Sequence, residues 1–294
     1  MARLLRGAEV TAALNERLRQ QAEALTRQGI RPCLALLRVG EKPDDLYYEK
    51  NAVKRCEKIG VETRLIALPA GADKGMVLAA VEQVNADPLI HGCLIFRPLP
   101  PQIDDGAVRA ALCPDKDVDG ITDGSLAGVL TGAEQGFPPC TAQACLEILD
   151  HYGVGLSGKK VTVLGRSLVV GRPLALLLLA RNATVTVCHS RTGEEEIRRA
   201  SRQAELVVAC LGRAGMVDGS FLSPGQTVID VGINPLPDGS VTGDVDFAAA
   251  EAVADALTPV PGGVGTVTTS VLVKHVIAAA ARQNGVAQNG VVLQ

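Results

Sequence analysis

Glycine-rich loops next to apolar helical runs are the parts of this sequence best suited to bind a ligand. Residues 258–269, TPVPGGVGTVTT, hold three glycines and two prolines, so they are not expected to form the interior of a regular helix or strand. An apolar helical run begins directly after them at Ser270. A loop in this position presents backbone N–H groups at a helix N-terminus, and we expect a ligand there.

A second loop, within residues 161–180, has the features of a phosphate-binding turn. The segment VTVLGRSLVVGRPLALLLLA reads as a buried strand, a turn that opens at Gly165 and a helix that starts near Gly171. Backbone N–H groups and the helix dipole at that strand end suit a dinucleotide pyrophosphate. The spacing differs from GxGxxG, so the pattern alone leaves open a glycine turn of an ordinary α/β protein.

The end of the next strand indicates which dinucleotide would bind. Residues 184–188 are followed by the tetrapeptide HSRT, whereas an NAD-binding domain of this type carries Asp or Glu against the ribose 2′-hydroxyl. Ser190, Arg191 and Arg166 would instead attract a 2′-phosphate, so the sequence predicts NADP. The alternative is that Arg191 is a solvated surface charge. His189 has no second ligand at metal spacing, so we interpret it as structural and predict no metal site.

The elements that must position these loops follow an alternation of strands and helices. The first series of strand-like runs begins at residue 33 and the second at residue 161, with helix-sized segments between the runs. This order predicts parallel βαβ units in two α/β domains. Residues 120–139 show no clear periodicity, so the boundary is expected there or in a helix over residues 141–152.

Composition excludes several classes of protein. A chain of 294 residues with 47% hydrophobic and 21% charged residues is long enough for two globular domains. Net charge is −3 without a basic block, which argues against a nucleic-acid partner. The N-terminus lacks a signal-peptide pattern and no apolar stretch is expected to approach the roughly 20 residues of a membrane span, so we expect a cytoplasmic protein.

Two further expectations concern the cysteines and the end of the sequence. The eight cysteines form no CxxC pair and several fall in apolar runs, so we interpret them as reduced core residues rather than as disulfides or metal ligands. The last ten residues, from Gly285, are expected to form a frayed tail.

Five motifs together resemble the methylenetetrahydrofolate dehydrogenase/cyclohydrolase family over nearly the whole chain. They are PDKDVDG at 114–120, GRS at 165–167, VGRP at 170–173, DVGIN at 230–234 and the loop at 258–269. The resemblance implies a folate-substrate domain of residues 1–140, rejoined by a C-terminal helix over 269–294, and a Rossmann-like NADP-binding domain of residues 141–268. It also implies a homodimer with folate in the cleft between the domains.

The resemblance implies both an activity and a set of site residues. The activity is NADP-dependent oxidation of 5,10-methylenetetrahydrofolate to 5,10-methenyltetrahydrofolate in one-carbon metabolism. Tyr48 and Asp119 match catalytic and substrate-binding positions. Asp119 suits the 2-amino and ring N–H donors of a pterin, although without the resemblance it could equally be an Asx-turn residue. The matched cofactor positions are Gly165, Arg166, Ser167, Ser190 and Ile233. To these we add Gly171 at the helix start and Arg191 at the strand end as cofactor-binding residues, and Pro261, Gly262 and Gly263 of the glycine-rich loop as substrate-binding residues.

One departure from the family concerns its second activity, hydrolysis of methenyltetrahydrofolate to 10-formyltetrahydrofolate. The family carries a Ser-x-x-Tyr-x-x-x-Lys helix, and gap-free matching places Asp45, Tyr48 and Ala52 at its three named positions. Phe96 stands where the family has the glutamine that accompanies the lysine. Loss of both partners predicts weak or absent cyclohydrolase activity.

Several alternatives remain open from the sequence. A cation relocated to Lys50, Lys54 or Arg97 would keep both activities, and a slipped register would put Tyr47 in place of Tyr48. After the tetrapeptide GGVG, this chain has Thr266 and Val267 where the family has proline and methionine. The other readings are a different Rossmann oxidoreductase, such as a shikimate or amino-acid dehydrogenase, and a non-catalytic folate or nucleotide sensor.

Overall fold

The computed structural model describes residues 2–286, which fall into two compact units. Residues 2–12 and 141–268 form the six-stranded unit, and residues 13–140 and 269–286 form the three-stranded unit, each named after its main sheet. The expected fold of two α/β domains with a Rossmann-like parallel sheet is confirmed. Residues 2–12 were expected in the folate-substrate domain but lie in the six-stranded unit, because the first strand pairs with the larger sheet. The expected tail beyond residue 286 lies outside the described residues.

The helices and strands of the described residues are as follows. The α-helices are α1 (Gly7–Arg27), α2 (Pro43–Ile59), α3 (Lys74–Ala86), α4 (Asp105–Ala111), α5 (Asp123–Thr131), α6 (Cys140–His151), α7 (Gly171–Ala180), α8 (Glu194–Gln203), α9 (Phe247–Glu251) and α10 (Val264–Gln283). The strands are β1 (Arg3–Leu4), β2 (Cys33–Val39), β3 (Glu62–Leu68), β4 (Gly92–Ile95), β5 (Lys160–Leu164), β6 (Thr184–Cys188), β7 (Leu206–Ala209), β8 (Thr227–Asp230), β9 (Asn234–Pro235), β10 (Val241–Thr242) and β11 (Ala256–Leu257).

The larger sheet brings four strand ends to one edge. Its order is β1-β11-β8-β7-β5-β6, and every neighbouring pair is parallel. The chain passes from β5 to β6 at the sheet margin and then returns to β7 on the other side of β5, which creates a topological switch point. The last residues of β5, β6, β7 and β8 are in register: Leu164, Cys188, Ala209 and Asp230.

The strands form where the sequence supplies short apolar runs that are covered on both sides. All four residues of β7, LVVA, are buried, and so are the last four of β5. Helix α7 buries Pro173, Leu174 and Leu178 on one face. Burial of both faces is typical of a parallel sheet between helices, so the core forms on either side of it.

The three-stranded unit has the order β3-β2-β4, again parallel. Its central strand β2, CLALLRV, is buried at every position, including Arg38. Arg38 is tolerated because its Nε donates to the Glu49 carboxylate at 2.8 Å and its guanidinium to the Gly40 carbonyl oxygen at 2.6 Å. An isolated parallel bridge between Cys93 and Asp117 extends the pairing beyond β4.

Helix α5 lies within residues 120–139, where the sequence shows no clear periodicity and the domain boundary was expected. It begins after Thr122, whose side chain accepts the backbone N–H of Ser125, and ends at Gly132 with φ 71°. The nine residues DGSLAGVLT include two glycines and bury only Ser125 and Gly128, so no amphipathic period marks the helix in the sequence. The missing period in this segment therefore did not mean that regular structure is absent.

Two helices begin earlier than expected. The run Pro43-Asp44-Asp45 predicts an acidic cap and a helix that starts at Leu46, but Lys42 is the N-cap of α2 without a side-chain hydrogen bond and Pro43 is in its first turn. Helix α10 starts at Val264, inside the loop that was expected to be irregular up to residue 269. Gly265 is tolerated there because it lies in the first turn, where the backbone has few helical hydrogen bonds to lose.

Helix α10 also corrects the expectation about long apolar stretches. Within its 20 residues an 18-residue window reaches a mean hydropathy of 1.5, so by length and composition alone the helix is able to cross a membrane. Because 72% of that window is buried within the protein, the pattern is that of a core helix.

All eight cysteines are free thiols, and six of them are fully buried. Burial raises the pKa of Cys56 and of Cys93 to about 12. The interpretation of the cysteines as reduced, mostly core residues is confirmed.

The turn at Gly120 generates a stability prediction with an internal control. Gly120 and Gly132 have the same φ of 71°, but a Cβ on Gly120 would lie 2.6 Å from the Pro138 carbonyl carbon and 2.7 Å from the Phe137 oxygen, whereas nothing lies within 4 Å of one on Gly132. Gly132→Ala should lower the free energy of unfolding by about 1–2 kcal/mol, and Gly120→Ala by about 1–3 kcal/mol more. Urea unfolding of both variants measures the difference, and equal losses would contradict the close approach.

Candidate functional sites

The predicted cofactor residues lie along the carboxyl edge of the six-stranded sheet. Because the ends of β5, β6 and β8 are in register, the loops that carry Gly165, Ser190 and Ile233 leave the sheet side by side. This edge includes the switch point between β5 and β7, where ligands bind in open α/β sheets.

The turn after β5 has the close backbone contacts of a pyrophosphate cradle. A Cβ on Gly165 would lie 2.7 Å from Cys210 Sγ, and one on Gly171 would lie 2.6 Å from the Gly165 carbonyl carbon. Both positions therefore require glycine, and the N-terminus of α7 packs directly on the turn. A phosphate fits this arrangement because the first N–H groups of a helix attract an anion.

Ser167 and Arg166 occupy different roles in this turn. The Ser167 hydroxyl accepts the backbone N–H of Val170, the N-cap of α7, at 3.1 Å, and the Ser167 carbonyl accepts that of Arg172 at 3.0 Å, so Ser167 supports the start of this helix. Arg166 is exposed, as are Leu168 and Val169 next to it. These two apolar side chains, which no sequence pattern marked, give the turn a surface suited to a flat ring.

The loop after β6 is held by His189, which confirms the interpretation of that residue as structural. Its Nδ1 accepts the backbone N–H of Arg191 at 3.2 Å, and its own backbone N–H donates to Thr192 Oγ1 at 3.0 Å. Ser190 and Arg191 are exposed at the tip. The turn thus presents a hydroxyl and a guanidinium at the end of β6.

Asp244, which the sequence analysis missed, fixes the loop after β7. Its buried carboxylate accepts the backbone N–H groups of Gly212 at 3.0 Å and Arg213 at 2.8 Å, and the Asn234 side-chain amide at 2.9 Å. These contacts connect the loops after β7 and β8. The only local signal was an acidic residue after the glycine in VTGDVD.

Asp230, at the end of β8, fixes the loop that carries Ile233. Its carboxylate accepts the backbone N–H groups of Gly232 at 2.9 Å and of both Asp244 and Val245 at 3.0 Å. Burial raises the pKa of Asp230 to about 6, against the lowering effect of these donors. Ile233 itself is 64% exposed, an apolar side chain at the sheet edge.

The predicted substrate residues at 261–263 separate into exposed and buried positions. Pro261 and Gly262 are exposed, whereas Gly263 is buried. The Gly262 carbonyl accepts the backbone N–H of Gly7 at 2.8 Å, and the loop begins at Thr258, whose hydroxyl accepts the Asp230 backbone N–H at 2.7 Å. Two of the three residues are therefore accessible to a ligand.

In the three-stranded unit, the structure brings Tyr48 and Phe96 together. Their rings meet edge to face with centroids 6.2 Å apart. Ala52 follows Tyr48 by one helical turn on the buried face of α2, together with Cys56 and Ile59. Tyr47 is 71% exposed, whereas Tyr48 is 37% exposed, so the slipped register would turn the tyrosine to solvent.

Asp117 and Asp119 lie two residues apart but differ in their partners. Asp117 is fully buried and accepts the backbone N–H groups of Ile121 and Thr122 and the Ser125 hydroxyl, at 2.7–3.0 Å. It therefore takes the turn-stabilising role that was the alternative for Asp119. Asp119 is partly buried.

The environment of Asp119 favours its neutral form. Burial and the nearby Asp117 raise its pKa to about 7, although a hydrogen bond from the Cys140 thiol and the charge of Arg97 act in the opposite direction. A carboxyl with a pKa in this range titrates near physiological pH, which is common at functional sites.

The alternative cations differ in how firmly they are held. Arg97 donates to both oxygens of Asp105, with its Nε at 2.6 Å and a terminal nitrogen at 2.8 Å, and Asp105 also pairs with Arg109 at 3.1 Å. Lys50 and Lys54 are exposed on α2. Within residues 2–286 no group of three or more His, Cys, Asp or Glu is arranged to hold a metal ion.

The fold and these residues define a two-domain α/β protein with a Rossmann-type dinucleotide site. The family model described as tetrahydrofolate dehydrogenase/cyclohydrolase, catalytic domain, matches residues 5–119, and its NAD(P)-binding domain matches residues 139–284. The chain belongs to the tetrahydrofolate dehydrogenase/cyclohydrolase family.

Known proteins resemble the chain over nearly its full length. The bifunctional protein FolD of Alkaliphilus oremlandii is 46% identical over 97% of this chain and 100% of its own. The structure of the bifunctional FolD methylenetetrahydrofolate dehydrogenase/cyclohydrolase of Campylobacter jejuni has a TM-score of 0.92 at 34% identity, covering 96% and 99% of the two chains. The Trypanosoma brucei enzyme, solved with NADP and an inhibitor, has a TM-score of 0.89 at 34% identity, covering 96% and 98%.

Proposed function

We propose that this protein is an NADP-dependent methylenetetrahydrofolate dehydrogenase with little or no cyclohydrolase activity. The observation that carries the first half is the row of loops at Gly165, Ser190 and Ile233 along one edge of a family-matched NAD(P)-binding sheet. The observation that carries the second half is the pair of buried apolar residues, Ala52 and Phe96, at the two positions matched to the family's lysine and glutamine.

The cofactor would be held by backbone and side chain in different places. Gly165, Arg166, Ser167 and Gly171 form the turn for the pyrophosphate, and the close approach at both glycines supports this role. Ser190 and Arg191 would receive the 2′-phosphate because they are exposed at the end of β6. When bound, NADP supplies the acceptor for a hydride from the methylene carbon of the folate. Exposed Ile233 would contact it at the sheet edge.

We assign folate binding to Asp119 and Tyr48, which lie in the three-stranded unit, and to the accessible Pro261 and Gly262, which lie in the six-stranded unit in a loop that Gly263 supports. Asp119 would accept the 2-amino and ring N–H donors of the pterin, and Tyr48 would pack against its ring. Departure of the hydride is assisted by the lone pair of a neighbouring folate nitrogen, so the oxidation needs no protein base. The protein's part is to hold the two reactants in line.

Hydrolysis of the methenyl product needs an activated water and a group that moves a proton. Ala52 has no such group, and the Phe96 ring lies against Tyr48. Of the possible relocated cations, Arg97 is held by Asp105 in a bidentate pair, and Lys50 and Lys54 are exposed on α2. These placements favour loss of the hydrolytic step over its relocation.

The remaining parts of the proposal concern the setting of the enzyme. We place it in the cytoplasm as a homodimer, with the unit of residues 141–268 as the NADP domain and the other unit as the folate domain. The primary test is NADPH formation from methylenetetrahydrofolate by the purified protein. A non-catalytic sensor would bind both ligands without forming NADPH, and a different oxidoreductase would not accept the folate.

The first prediction concerns Arg191. A contact to phosphate contributes about 1.5–3 kcal/mol, so Arg191→Ala should weaken NADP binding roughly 10- to 100-fold and leave NAD binding nearly unchanged. Fluorescence titration with each dinucleotide measures both values. The control is Arg199→Ala, because Arg199 is an exposed arginine on α8 paired with Glu196. Equal losses for NADP and NAD in Arg191→Ala would show that Arg191 does not bind the 2′-phosphate.

The second prediction concerns the ionisation of Asp119, whose pKa of about 7 lies above its ordinary value. The carboxylate accepts pterin donors only when ionised, so a proton competes with the ligand below this pH. The affinity for folic acid should therefore fall up to about tenfold per pH unit below 7 and level off above it. Calorimetric titration between pH 5.5 and 8.5 measures the profile. Asp119→Ala should bind folic acid at least tens of times more weakly while NADP still binds. An unchanged folate affinity in that variant would mean that the pterin site lies elsewhere.

The third prediction concerns the two activities together. General acid–base assistance supplies about 10²- to 10⁴-fold, so without it methenyltetrahydrofolate should accumulate during turnover. The measurement is the ratio of methenyl formation to methenyl hydrolysis, corrected for the uncatalysed reaction in the same buffer. Ala52→Lys with Phe96→Gln should restore hydrolysis better than Ala52→Lys alone, because the amide can orient the amine. Efficient hydrolysis by the unaltered protein would overturn the prediction and direct attention to Lys50, Lys54 or Arg97.

A further inference from the structure

His275 is a buried polar residue that the proposed reaction does not use. It lies on α10 with no exposed surface, in the same unit as Asp119. Its Nδ1 lies 2.8 Å from the Val118 carbonyl oxygen. Because a carbonyl oxygen only accepts hydrogen bonds, Nδ1 carries the proton and donates it to the residue that precedes Asp119.

Cys140 completes the contacts around this peptide. Its thiol donates to the same Val118 oxygen at 3.3 Å, its Sγ lies 3.7 Å from His275 Nδ1, and the nearby Asp119 carboxyl is a second acceptor for the same thiol. A thiol has a single proton, so it cannot donate to the carbonyl and to the carboxyl at once. The carboxylate is the stronger acceptor because it is charged.

The number of available protons determines which acceptor each donor serves. His275 satisfies the Val118 carbonyl, which leaves the single thiol proton of Cys140 for Asp119. The imidazole is itself held in place, because the Phe137 ring stacks on it with centroids 4.9 Å apart and planes 25° apart. The Arg282 guanidinium lies over the Phe137 ring, 4.7 Å from its centroid, and also donates to the Gly136 carbonyl at 3.2 Å.

We propose that His275 and Cys140 are positioning residues for substrate binding, which hold the Val118–Asp119 peptide and direct one donor at the Asp119 carboxylate. The proposal rests on the proposed function, because it takes Asp119 as the group that binds the pterin. Neither residue touches the reacting atoms. Their effect is on the orientation and charge of the carboxylate before the folate arrives.

The experiment compares two substitutions at His275. His275→Leu removes the donor, whereas His275→Asn keeps an N–H donor close to the position of Nδ1. In His275→Leu the KM for methylenetetrahydrofolate should rise roughly tenfold, with the KM for NADP unchanged and kcat within about twofold. In His275→Asn the KM for folate should return to within about threefold of the unaltered protein.

A second readout separates positioning from simple packing. The charged and titratable groups that face Asp119 are Asp117, Arg97, the Cys140 thiol and the nearby His275. Losing the thiol donor favours the protonated carboxyl, so the midpoint of the pH profile of folic-acid affinity should move upward in His275→Leu and stay in place in His275→Asn. Cys140→Ala and Cys140→Ser form a second pair, in which the alanine variant should reproduce the loss and the serine variant should not.

His91 provides a matched control in the same unit. It is also a buried imidazole. Its Nδ1 accepts the Cys33 backbone N–H at 3.2 Å, at the amino-terminal edge of the three-stranded sheet. His91→Leu should lower the unfolding temperature without changing the KM for folate. If His275→Leu and His275→Asn raise that KM equally, or if neither raises it, positioning by His275 is wrong. If the unaltered protein neither forms NADPH nor binds folic acid, the proposed function fails instead.

Discussion

Buried carboxylates that accept backbone N–H groups hold the loops of both units. Asp117, Asp230 and Asp244 are each at most 3% exposed, and each accepts two or more such donors. A buried charge is stable only when it is matched in this way, and loops beyond the strand ends have few regular partners of their own. Asp119 follows Asp117 by two residues and Ile233 follows Asp230 by three, so both lie in backbone that these carboxylates restrain.

The two activities of the family depend on this arrangement to different extents. Hydride transfer depends on orientation, which rigid loops at a sheet edge provide. Hydrolysis depends on a group that can gain and lose a proton next to the substrate. On the helix face that carries Tyr48, the following turn offers the methyl group of Ala52, and the adjacent strand end offers the Phe96 ring. Under the proposed function, the chain thus keeps the scaffold for hydride transfer without side chains that could carry out the hydrolysis.

Local patterns were sufficient to predict the strands and the glycine turns. The runs at residues 161–164 and 184–188 form strands as expected, and α7 begins at Gly171 as predicted, because apolar runs and helix starts are visible within a few residues. Helix α5 was missed because its small residues carry no period.

The role of Asp244 was missed for a different reason. Its partners lie 31 to 33 residues earlier in the chain, at the end of another strand. A sequence pattern records neighbours along the chain, whereas this contact exists only once β7 and β8 have paired. The same holds for His275, which reaches a carbonyl 157 positions away. The glycines and exposed charges of the candidate sites could therefore be predicted from the sequence, whereas the buried groups that hold the site loops could not.

The position of Cys210 beside Gly165 bears on the chemical reactivity of the dinucleotide edge. Burial raises the pKa of this thiol to about 12, and its Sγ–H donates to the Leu164 carbonyl at 3.1 Å. At neutral pH this thiol is therefore almost entirely protonated, whereas the thiolate is the form that reacts with oxidants and electrophiles. A sulfur atom next to the phosphate turn therefore adds no negative charge there and is a poor target for alkylation or peroxide. This edge of the protein should keep its shape under oxidising conditions that would modify an ordinary surface cysteine.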